Sequence, residues 1–299
     1  MTLLDDTRRS ESFRSMGTQV TVYGPAGRAF ARSLPEIVAL FEAEERRFSR
    51  FRGDSELAEL NRRAGSWTAI SEVFEEVLRC ALAGAARSGG TFDPSVLGAV
   101  IDSGYDRDFD EVLAGARGVL HPSTPCARWR EIEVRPGWVL LPPGVGLDLG
   151  GLVKGWTADR ATDLALGRGL PWVLVSAGGD QRIAGSAPVV EIPIEDPERP
   201  DRIVTSLRID RGAIASSSTA KRTWGSGLHH VIDPRTGAPA ETDAVQVTVW
   251  APTCAEAEIL ATWALISGVA AAEQIPAAIV GVDGAVTLSF APGSEGSAA

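Results

Sequence analysis

The spacing of apolar residues changes along this chain and predicts a mixture of strands and helices. Alternating apolar positions over 13–23 and at Val245, Val247 and Val249 indicate strands with one buried face. Apolar residues spaced as on one side of a helix over 29–48 predict a long amphipathic helix. Because strands and helices alternate unevenly, the pattern predicts an α+β fold with mixed or antiparallel sheets and packed helices, not a regular βαβ succession.

Short polar residues ahead of the apolar runs predict where several helices begin. Ser55 and Ser71 are expected N-caps, and Thr253 with Glu256 three positions later has the spacing of a capping box. The helix that starts at Thr253 is expected to end at Gly268. The helix that begins after Ser71 is expected to end at Gly89-Gly90, and hairpin turns are predicted at Pro136-Gly137 and Asp283-Gly284.

The domain organisation follows from what interrupts these elements. Residues 1–12 are expected to be a flexible N-terminus, residues 13–290 a single domain and residues 291–299 a disordered tail. Residues 103–130, rich in Asp, Gly and Pro, are expected to be irregular. The sequence shows neither an internal repeat nor a convincing linker.

Composition excludes some classes of binding partner and of bound group. A net charge of −10 over 299 residues argues against general binding to nucleic acid or to anionic membranes, so an anionic cofactor would need local help from Lys154, Arg222 or a metal ion. The three cysteines are far apart, which favours neither a disulfide framework nor a zinc site. No run approaches the roughly 18 apolar residues of a membrane span, and no signal peptide or lipobox cysteine stands out, so we expect a cytoplasmic protein without membrane insertion.

Two segments carry the candidate chemistry. Residues 147–155 place an acid, paired glycines and a lysine in a predicted loop that opens a helix, a layout suited to phosphates and a metal. Residues 229–237 place two of the three histidines before an Asp-Pro and an Arg-Thr-Gly turn. Polar residues in such turns indicate a site more than a scaffold.

These segments belong to an ordered series of motifs that resembles the ApbE family of FAD:protein FMN transferases. The series covers most of the chain and consists of Met16-Gly17-Thr18, Phe48-Ser49-Arg50-Phe51, Ser55 to Asn61, Gly89 to Pro94, Asp148 to Gly151 with Lys154-Gly155, Gly178-Gly179-Asp180, His230 to Gly237, and the helix with Glu258 and Thr262. The resemblance implies Mg²⁺-dependent transfer of FMN from FAD to a Ser or Thr hydroxyl of an acceptor protein, with release of AMP. It also implies an α+β fold with FAD in a cleft between two lobes.

The resemblance implies metal ligands at Glu258, Thr262 and the carbonyl of Gly151. Glu258 and Thr262 stand four residues apart on a predicted helix and so share one face, where a carboxylate and a hydroxyl suit a hard cation. Spacing alone favours a solvated pair on a surface helix, and only the resemblance favours metal ligands. The family commonly has Asp at the position of Glu258, and the extra methylene must be absorbed by a helix shift or a different carboxylate orientation.

His230 is the candidate base, because histidine titrates near neutral pH and can deprotonate or orient the incoming hydroxyl. The alternative is a turn histidine bonded to the backbone. Asp233, the second candidate catalytic residue, either orients His230 or caps the turn. His229 is expected to be a bystander.

The remaining site residues are candidate cofactor contacts. Asp148 is a cofactor contact, an Asp turn before a helix, or both. Lys154 is expected to reach phosphate oxygens, and Met16 and Phe51 to pack on a flavin or adenine ring. The full set expected to contact FAD is Met16, Phe51, Thr91, Phe92, Asp93, Asp148, Lys154 and Ile232.

Two other functions stay open at this stage. One is an FAD pyrophosphatase, in which water replaces the acceptor hydroxyl and the products are FMN and AMP. The other is a flavin-binding protein without transfer activity, because Glu258 and the segment Ser216-Ser217-Ser218 depart from the family pattern. The sequence does not identify the acceptor protein.

Overall fold

The computed structural model describes residues 8–115, 125–199, 201–225 and 227–289. Within these ranges the helices are α1 (Arg28–Phe48), α2 (Glu56–Arg62), α3 (Glu72–Arg87), α4 (Leu97–Asp102), α5 (Phe109–Gly115), α6 (Val153–Gly167), α7 (Cys254–Ser267) and α8 (Val269–Ala272), with a 3₁₀ turn at Trp129–Glu131. The strands of the N-terminal half are β1 (Arg8–Ser15), β2 (Thr18–Pro25), β3 (Trp67–Ala69), β4 (Glu133–Arg135) and β5 (Trp138–Leu140). The later strands are β6 (Trp172–Ala177), β7 (Asp180–Gly185), β8 (Val190–Glu195), β9 (Ile203–Ile209), β10 (Gly212–Ser218), β11 (Thr223–Trp224), β12 (Leu228–His229), β13 (Ile232–Asp233), β14 (Ala238–Pro239), β15 (Ala244–Ala251), β16 (Ala277–Gly281) and β17 (Val286–Ser289).

Contacts within the chain define two compact units, each assembled from segments far apart in the sequence. The first unit contains the described residues of Met1–Glu45, Lys154–Ser217 and Asp243–Ala299. The second contains those of Arg46–Val153 and Ser218–Thr242. A single functional domain over 13–290 stays a prediction.

An eight-stranded sheet organises the first unit, in the order β1-β2-β6-β7-β10-β15-β16-β17. The pairs β1–β2, β2–β6, β6–β7, β7–β10, β15–β16 and β16–β17 are antiparallel. The strand β6 shows why the sheet is covered on both faces. Val173, Val175 and Ala177 of β6 join the core that includes α1, α6 and α7, whereas Leu174 joins the core formed with the β8–β9 ribbon. Successive side chains of a strand point to opposite faces, so an almost wholly apolar strand is buried on both.

The predicted strand over 13–23 is wrong in one respect: the segment is a hairpin of β1 and β2. Its turn is formed by Met16 and Gly17, which have φ values of 53° and 67°. Positive φ at both central positions is the signature of a tight hairpin turn, and this turn was not predictable because methionine rarely occupies that conformation. The expected flexibility over 1–12 is also wrong for residues 8–12, which belong to β1 and pair with β2.

In the second unit the predicted helix starts are confirmed. The Oγ atoms of Ser55 and Ser71 accept hydrogen bonds from backbone N–H groups at the starts of α2 and α3, at 3.0 and 3.3 Å. The predicted hairpin at Pro136-Gly137 connects β4 and β5, which form a small antiparallel sheet with β3. The expectation of irregular structure over 103–130 is wrong for α5, and residues 116–124 and the predicted tail over 291–299 lie outside the described residues.

None of the helices in the described ranges is long and apolar enough to cross a membrane.

Candidate active site

The helices α6 and α7 of the first unit approach each other closely at Gly155. A Cβ atom at this position would lie 2.7 Å from the backbone carbonyl of Cys254 and 2.7 Å from Oε2 of Glu258. Only glycine fits this distance without displacing backbone atoms. The close approach lets the N–H of Gly155 donate a 2.8 Å hydrogen bond to Glu258 Oε2.

Lys154 lies between two buried carboxylates. Its Nζ is 2.5 Å from Asp180 Oδ2 and 2.5 Å from Glu258 Oε1. Asp180 is only 4% exposed and Glu258 only 5%. Glu258 is therefore buried and bonded, and the alternative of a solvated helix surface is wrong for this residue.

The pKa values of Glu258 and Lys154 are both raised, but for different reasons. Burial raises the pKa of the Glu258 carboxyl, while the positive charge of Lys154 opposes that rise and the negative charge of Asp180 adds to it. Burial alone would lower the pKa of Lys154, but the charges of Asp180 and Glu258 outweigh burial and raise it. The ammonium group therefore stays charged.

A third carboxylate, that of Asp159, holds the start of α7. The Oδ1 and Oδ2 atoms of Asp159, which lies on α6, accept hydrogen bonds from the N–H groups of Cys254 and Ala255 at 2.8 and 3.0 Å. These two groups are among the helix N–H donors that have no partner within their own helix. Arg182 Nε lies 3.1 Å from Asp159 Oδ1 and links this contact to the sheet. The position of Glu258, one turn further along α7, depends on these contacts.

Hydroxyl groups lie near Thr262, which is one turn beyond Glu258 along α7. Thr262 Oγ1 is 3.2 Å from Ser217 Oγ, and Ser216 Oγ is 2.8 Å from Thr248 Oγ1. The serine segment that departs from the family pattern thus supplies oxygen atoms beside the predicted ligand Thr262. Among the described residues no group of three or more His, Cys, Asp or Glu side chains is arranged to hold a metal by itself. Mg²⁺ commonly binds through one or two carboxylates and keeps waters or substrate phosphates as further ligands, so these donors fit it.

In the second unit, His229 and His230 differ in burial. His229 is 7% exposed, pairs with Thr223 and has its Nε2 3.2 Å from the carbonyl oxygen of Ala240. Burial lowers its pKa. His230 follows β12 and is half-buried. That His230, and not His229, is the base stays a prediction.

Asp233 is bound by its own turn. Its carboxylate accepts hydrogen bonds from Arg235 Nη2 at 2.7 Å and from Arg235 N at 2.9 Å. The carbonyl oxygen of Asp233 accepts from the N–H groups of Thr236 and Gly237. Burial alone would raise the pKa of Asp233, but the hydrogen bonds from Arg235 outweigh burial and lower it. Of the two alternatives left open by the sequence, these contacts support the turn cap.

Asp148 and Phe51 meet at Arg50, a residue that the sequence analysis did not select. Arg50 Nε is 3.2 Å from Asp148 Oδ2, and Asp148 Oδ1 accepts from Gly150 N at 2.8 Å. The guanidinium carbon of Arg50 lies 4.3 Å from the ring centres of both Phe51 and Tyr105. The Phe51 ring is nevertheless 40% exposed, which leaves surface for a planar ligand.

The other expected cofactor contacts are less accessible. Phe92 and Ile232 are each 5% exposed, and Ile232 packs in the core of the second unit. Asp93 Oδ1 accepts hydrogen bonds from the N–H and the hydroxyl of Ser95 at 2.7 and 2.6 Å, and burial raises the pKa of Asp93. Thr91 is half-buried. Each stays a predicted contact.

The three remaining predicted site residues, Met16, Gly151 and Lys154, differ in exposure and in their contacts. Met16 is half-buried and packs against the core of the first unit. Gly151 is exposed in the turn before α6. The ammonium group of Lys154 is bound to the carboxylates of Asp180 and Glu258. The expected contact between Lys154 and a phosphate stays a prediction, and it requires the ammonium group to leave at least one of these carboxylates.

Three residues that were not selected as site residues bind predicted site residues or the helix that carries them: Asp159, Asp180 and Arg50. Asp180 ends the Gly178-Gly179-Asp180 motif, and an acid after paired glycines was the available signal. Asp159 lies five residues after Lys154 on α6, but nothing local indicates that its acceptors belong to α7.

The fold defines the class of protein. The ApbE protein of Thermotoga maritima superposes with a TM-score of 0.79 at 23% identity, covering 94% of this chain and 97% of that chain. The flavin transferase ApbE of Vibrio cholerae gives 0.77 at 23% identity with the same coverage. The architecture is thus that of the ApbE flavin transferases, and the predicted α+β fold is confirmed.

Sequence similarity gives the family. The ApbE family model matches residues 16–282, and the chain belongs to this family, as its motifs predicted. The FAD:protein FMN transferase of Treponema pallidum (strain Nichols) is 31% identical over 277 residues, which are 84% of this chain and 75% of that protein. The FAD:protein FMN transferase of Salmonella typhimurium (strain LT2) is 27% identical over 278 residues, 88% of this chain and 79% of that protein.

Proposed function

We propose that this protein transfers FMN from FAD to a Ser or Thr hydroxyl of an acceptor protein, releases AMP and requires Mg²⁺. The observation that carries the proposal is the match of the ApbE family model to residues 16–282. It is supported by two FAD:protein FMN transferases that align with this chain over most of their length. By this membership the chain is an enzyme of that type.

The first unit supplies two of the three proposed metal ligands. Glu258 offers a buried carboxylate and Thr262 a hydroxyl four residues on along α7, and the carbonyl of Gly151 is the third predicted ligand. The cationic group of Lys154 beside Glu258 supports this proposal, because it indicates that the carboxylates of Glu258 and Asp180 favour a positive charge. Bound Mg²⁺ would neutralise charge on the pyrophosphate oxygens.

The bond changes define what His230 has to do. The acceptor oxygen forms a bond to the FMN-side phosphorus of FAD while the bond from that phosphorus to the bridging oxygen breaks, and AMP departs with that oxygen. The hydroxyl proton passes to His230, because the imidazole side chain is the most common general base in such proton transfers. His229 is less suited, because burial lowers its pKa and its Nε2 is close to the carbonyl of Ala240.

The second unit contains six of the eight proposed FAD contacts, the exceptions being Met16 and Lys154. The exposed face of Phe51 is suited to stacking, and Arg50 beneath it fixes both that ring and the Asp148 carboxylate. Thr91, Phe92, Asp93 and Ile232 remain proposed contacts through the family motif.

The test is incubation of the purified protein with FAD, Mg²⁺ and an acceptor protein that carries a Ser/Thr flavinylation motif. We expect covalent flavin on the acceptor by mass spectrometry, one AMP for each flavin transferred, and no transfer in EDTA. Free FMN with AMP and no labelled acceptor would instead indicate an FAD pyrophosphatase. Intact FAD bound to the protein would indicate a binding protein without transfer activity. The cytoplasmic location is a separate prediction, tested by fractionation of cells that express the chain.

A further inference from the structure

Both carboxylate oxygens of Glu258 already have partners within the first unit. Oε2 accepts the hydrogen bond from Gly155 N at 2.8 Å, and Oε1 lies 2.5 Å from Lys154 Nζ. The same Nζ lies 2.5 Å from Oδ2 of Asp180. A divalent cation that binds Glu258 therefore meets an ammonium group on the carboxylate it needs.

We propose that Lys154 is an internal counter-ion that occupies Glu258 when no metal is bound, and that Asp180 retains Lys154 when a divalent cation takes Glu258. Asp180 is then a positioning residue for the metal site, although it is not itself a predicted ligand. This inference rests on the metal role proposed for Glu258.

The need for a counter-ion follows from burial. Asp180 and Glu258 are 4% and 5% exposed, and two adjacent carboxylates with so little water require a positive charge nearby. With Lys154 the group of three side chains has a formal charge of −1, and without it the formal charge is −2. Lys154 thus allows the site to form before a metal arrives.

A second carboxylate is needed because a divalent cation that binds Glu258 displaces Lys154 from it. A divalent cation at Glu258 repels the ammonium group, whose flexible four-carbon stem allows a small displacement. Because Lys154 is 20% exposed at its side chain and already contacts Asp180, it can leave Glu258 without losing its ion pair. If Asp180 were neutral, Glu258 would be the only carboxylate of this group left for Lys154, and the metal would have to break that pair.

Charge therefore predicts opposite effects for two substitutions. In Lys154→Met the competing cation is removed, and the affinity of the FAD-free protein for Mg²⁺ should rise by about tenfold or more. In Asp180→Asn the group becomes neutral before metal binding, and the affinity should fall by about tenfold or more. The matched control is Arg160→Met, which removes another α6 cation, one that lies 3.8 Å from the buried carboxylate of Glu44. Its Mg²⁺ affinity should equal that of the parent.

The experiment is calorimetric titration of Mg²⁺ into the four proteins, with the melting temperature recorded with and without Mg²⁺. Lys154→Met should melt lower than the parent without Mg²⁺ and gain more on its addition. If Lys154→Met is too unstable to purify, Asp180→Asn decides alone. Equal or weaker Mg²⁺ binding by Lys154→Met, or unchanged binding by Asp180→Asn, would overturn the inference.

Failure of this inference is distinguishable from failure of the proposed function. The titration uses neither FAD nor an acceptor, so it does not depend on transfer. In one outcome the parent protein transfers FMN while the Lys154 and Asp180 variants bind Mg²⁺ with the parent's affinity. That result would overturn the counter-ion role of Lys154 and leave the proposed function standing. If Glu258→Gln binds Mg²⁺ as tightly as the parent, the metal role of Glu258 is wrong and the counter-ion role is overturned with it.

Discussion

Asp159 and Glu258 each cap the helix on which the other lies. Asp159 of α6 accepts hydrogen bonds from the N–H groups of Cys254 and Ala255 at the start of α7, and Glu258 of α7 accepts one from Gly155, the third residue of α6. Carboxylates at helix N-termini satisfy backbone donors and interact favourably with the helix dipole. This reciprocal capping holds the two helices together next to Glu258.

The two roles of Glu258, cap and metal ligand, can be separated by substitution. Glu258→Gln keeps the length needed to accept from Gly155 but loses the charge that a hard cation prefers, so transfer should be lost while the fold is retained. Glu258→Asp keeps the charge and the common family ligand but is one methylene shorter, so it should transfer FMN while being less stable to urea, by about 1 kcal/mol. Transfer rates against Mg²⁺ concentration and urea denaturation of both variants provide the measurements. A folded Glu258→Gln protein with the parent's rate and Mg²⁺ dependence would contradict the ligand assignment.

The close approach of α6 and α7 predicts that Gly155 does not tolerate a side chain. Gly155→Ala should reduce the free energy of unfolding by about 1–3 kcal/mol, because the new Cβ would overlap the Cys254 carbonyl and Glu258 Oε2. Gly167→Ala on the same helix is the control: a Cβ there meets nothing within 4 Å, and the change should be neutral or stabilising by up to about 1 kcal/mol. Chemical denaturation of both variants compares them, and equal stabilities would argue against the close packing.

If His230 is the general base, His230→Ala should lower the rate of transfer by about 10²–10⁴-fold while FAD binds nearly as before. His229→Ala should affect the rate much less, because His229 is buried and bonded to the backbone. Single-turnover flavinylation of an acceptor and calorimetric FAD binding are the measurements. Two variants with the same loss of rate would show that His230 has no special role.

The lowered pKa of His229 predicts a dependence of stability on pH. As the pH falls through the ordinary histidine value of 6.5, the unfolded chain takes up a proton before the folded protein does, so folding becomes less favourable. The parent should therefore lose more stability between pH 8 and pH 5.5 than His229→Gln, in which this group cannot titrate. Urea denaturation at the two pH values gives the comparison. Parallel losses in the two proteins would mean that His229 has an unperturbed pKa.

The exposed ring of Phe51 predicts a contribution to FAD binding. Phe51→Ala should weaken FAD binding about two- to tenfold, as expected for the loss of one aromatic stacking partner, whereas Phe51→Tyr should bind normally. Trp138→Ala, which removes another exposed aromatic side chain of the second unit, should leave the affinity unchanged. Calorimetric titration of FAD into the three variants tests this, and normal binding by Phe51→Ala would exclude stacking on this ring.

The sequence by itself determined the features that depend on neighbours along the chain. The N-caps at Ser55, Ser71 and Thr253 and the turn at Pro136-Gly137 were predictable because each depends on residues within about four positions of one another. The order of the motifs along the chain was enough to identify the family. The alternation of Val245, Val247 and Val249 also predicted the strand β15, since the two-residue period is local.

The tertiary structure alone decided the partners of the charged groups. Lys154, expected to bind phosphate, contacts Asp180 and Glu258, which are 26 and 104 residues away, and Asp159 caps a helix that starts 95 residues later. Ion pairs and caps between distant segments depend on which backbones are brought within a few ångströms, and no periodicity records that distance. The turn at Met16 was missed for a related reason: its positive φ is imposed by the pairing of β1 with β2 and not by its own side chain.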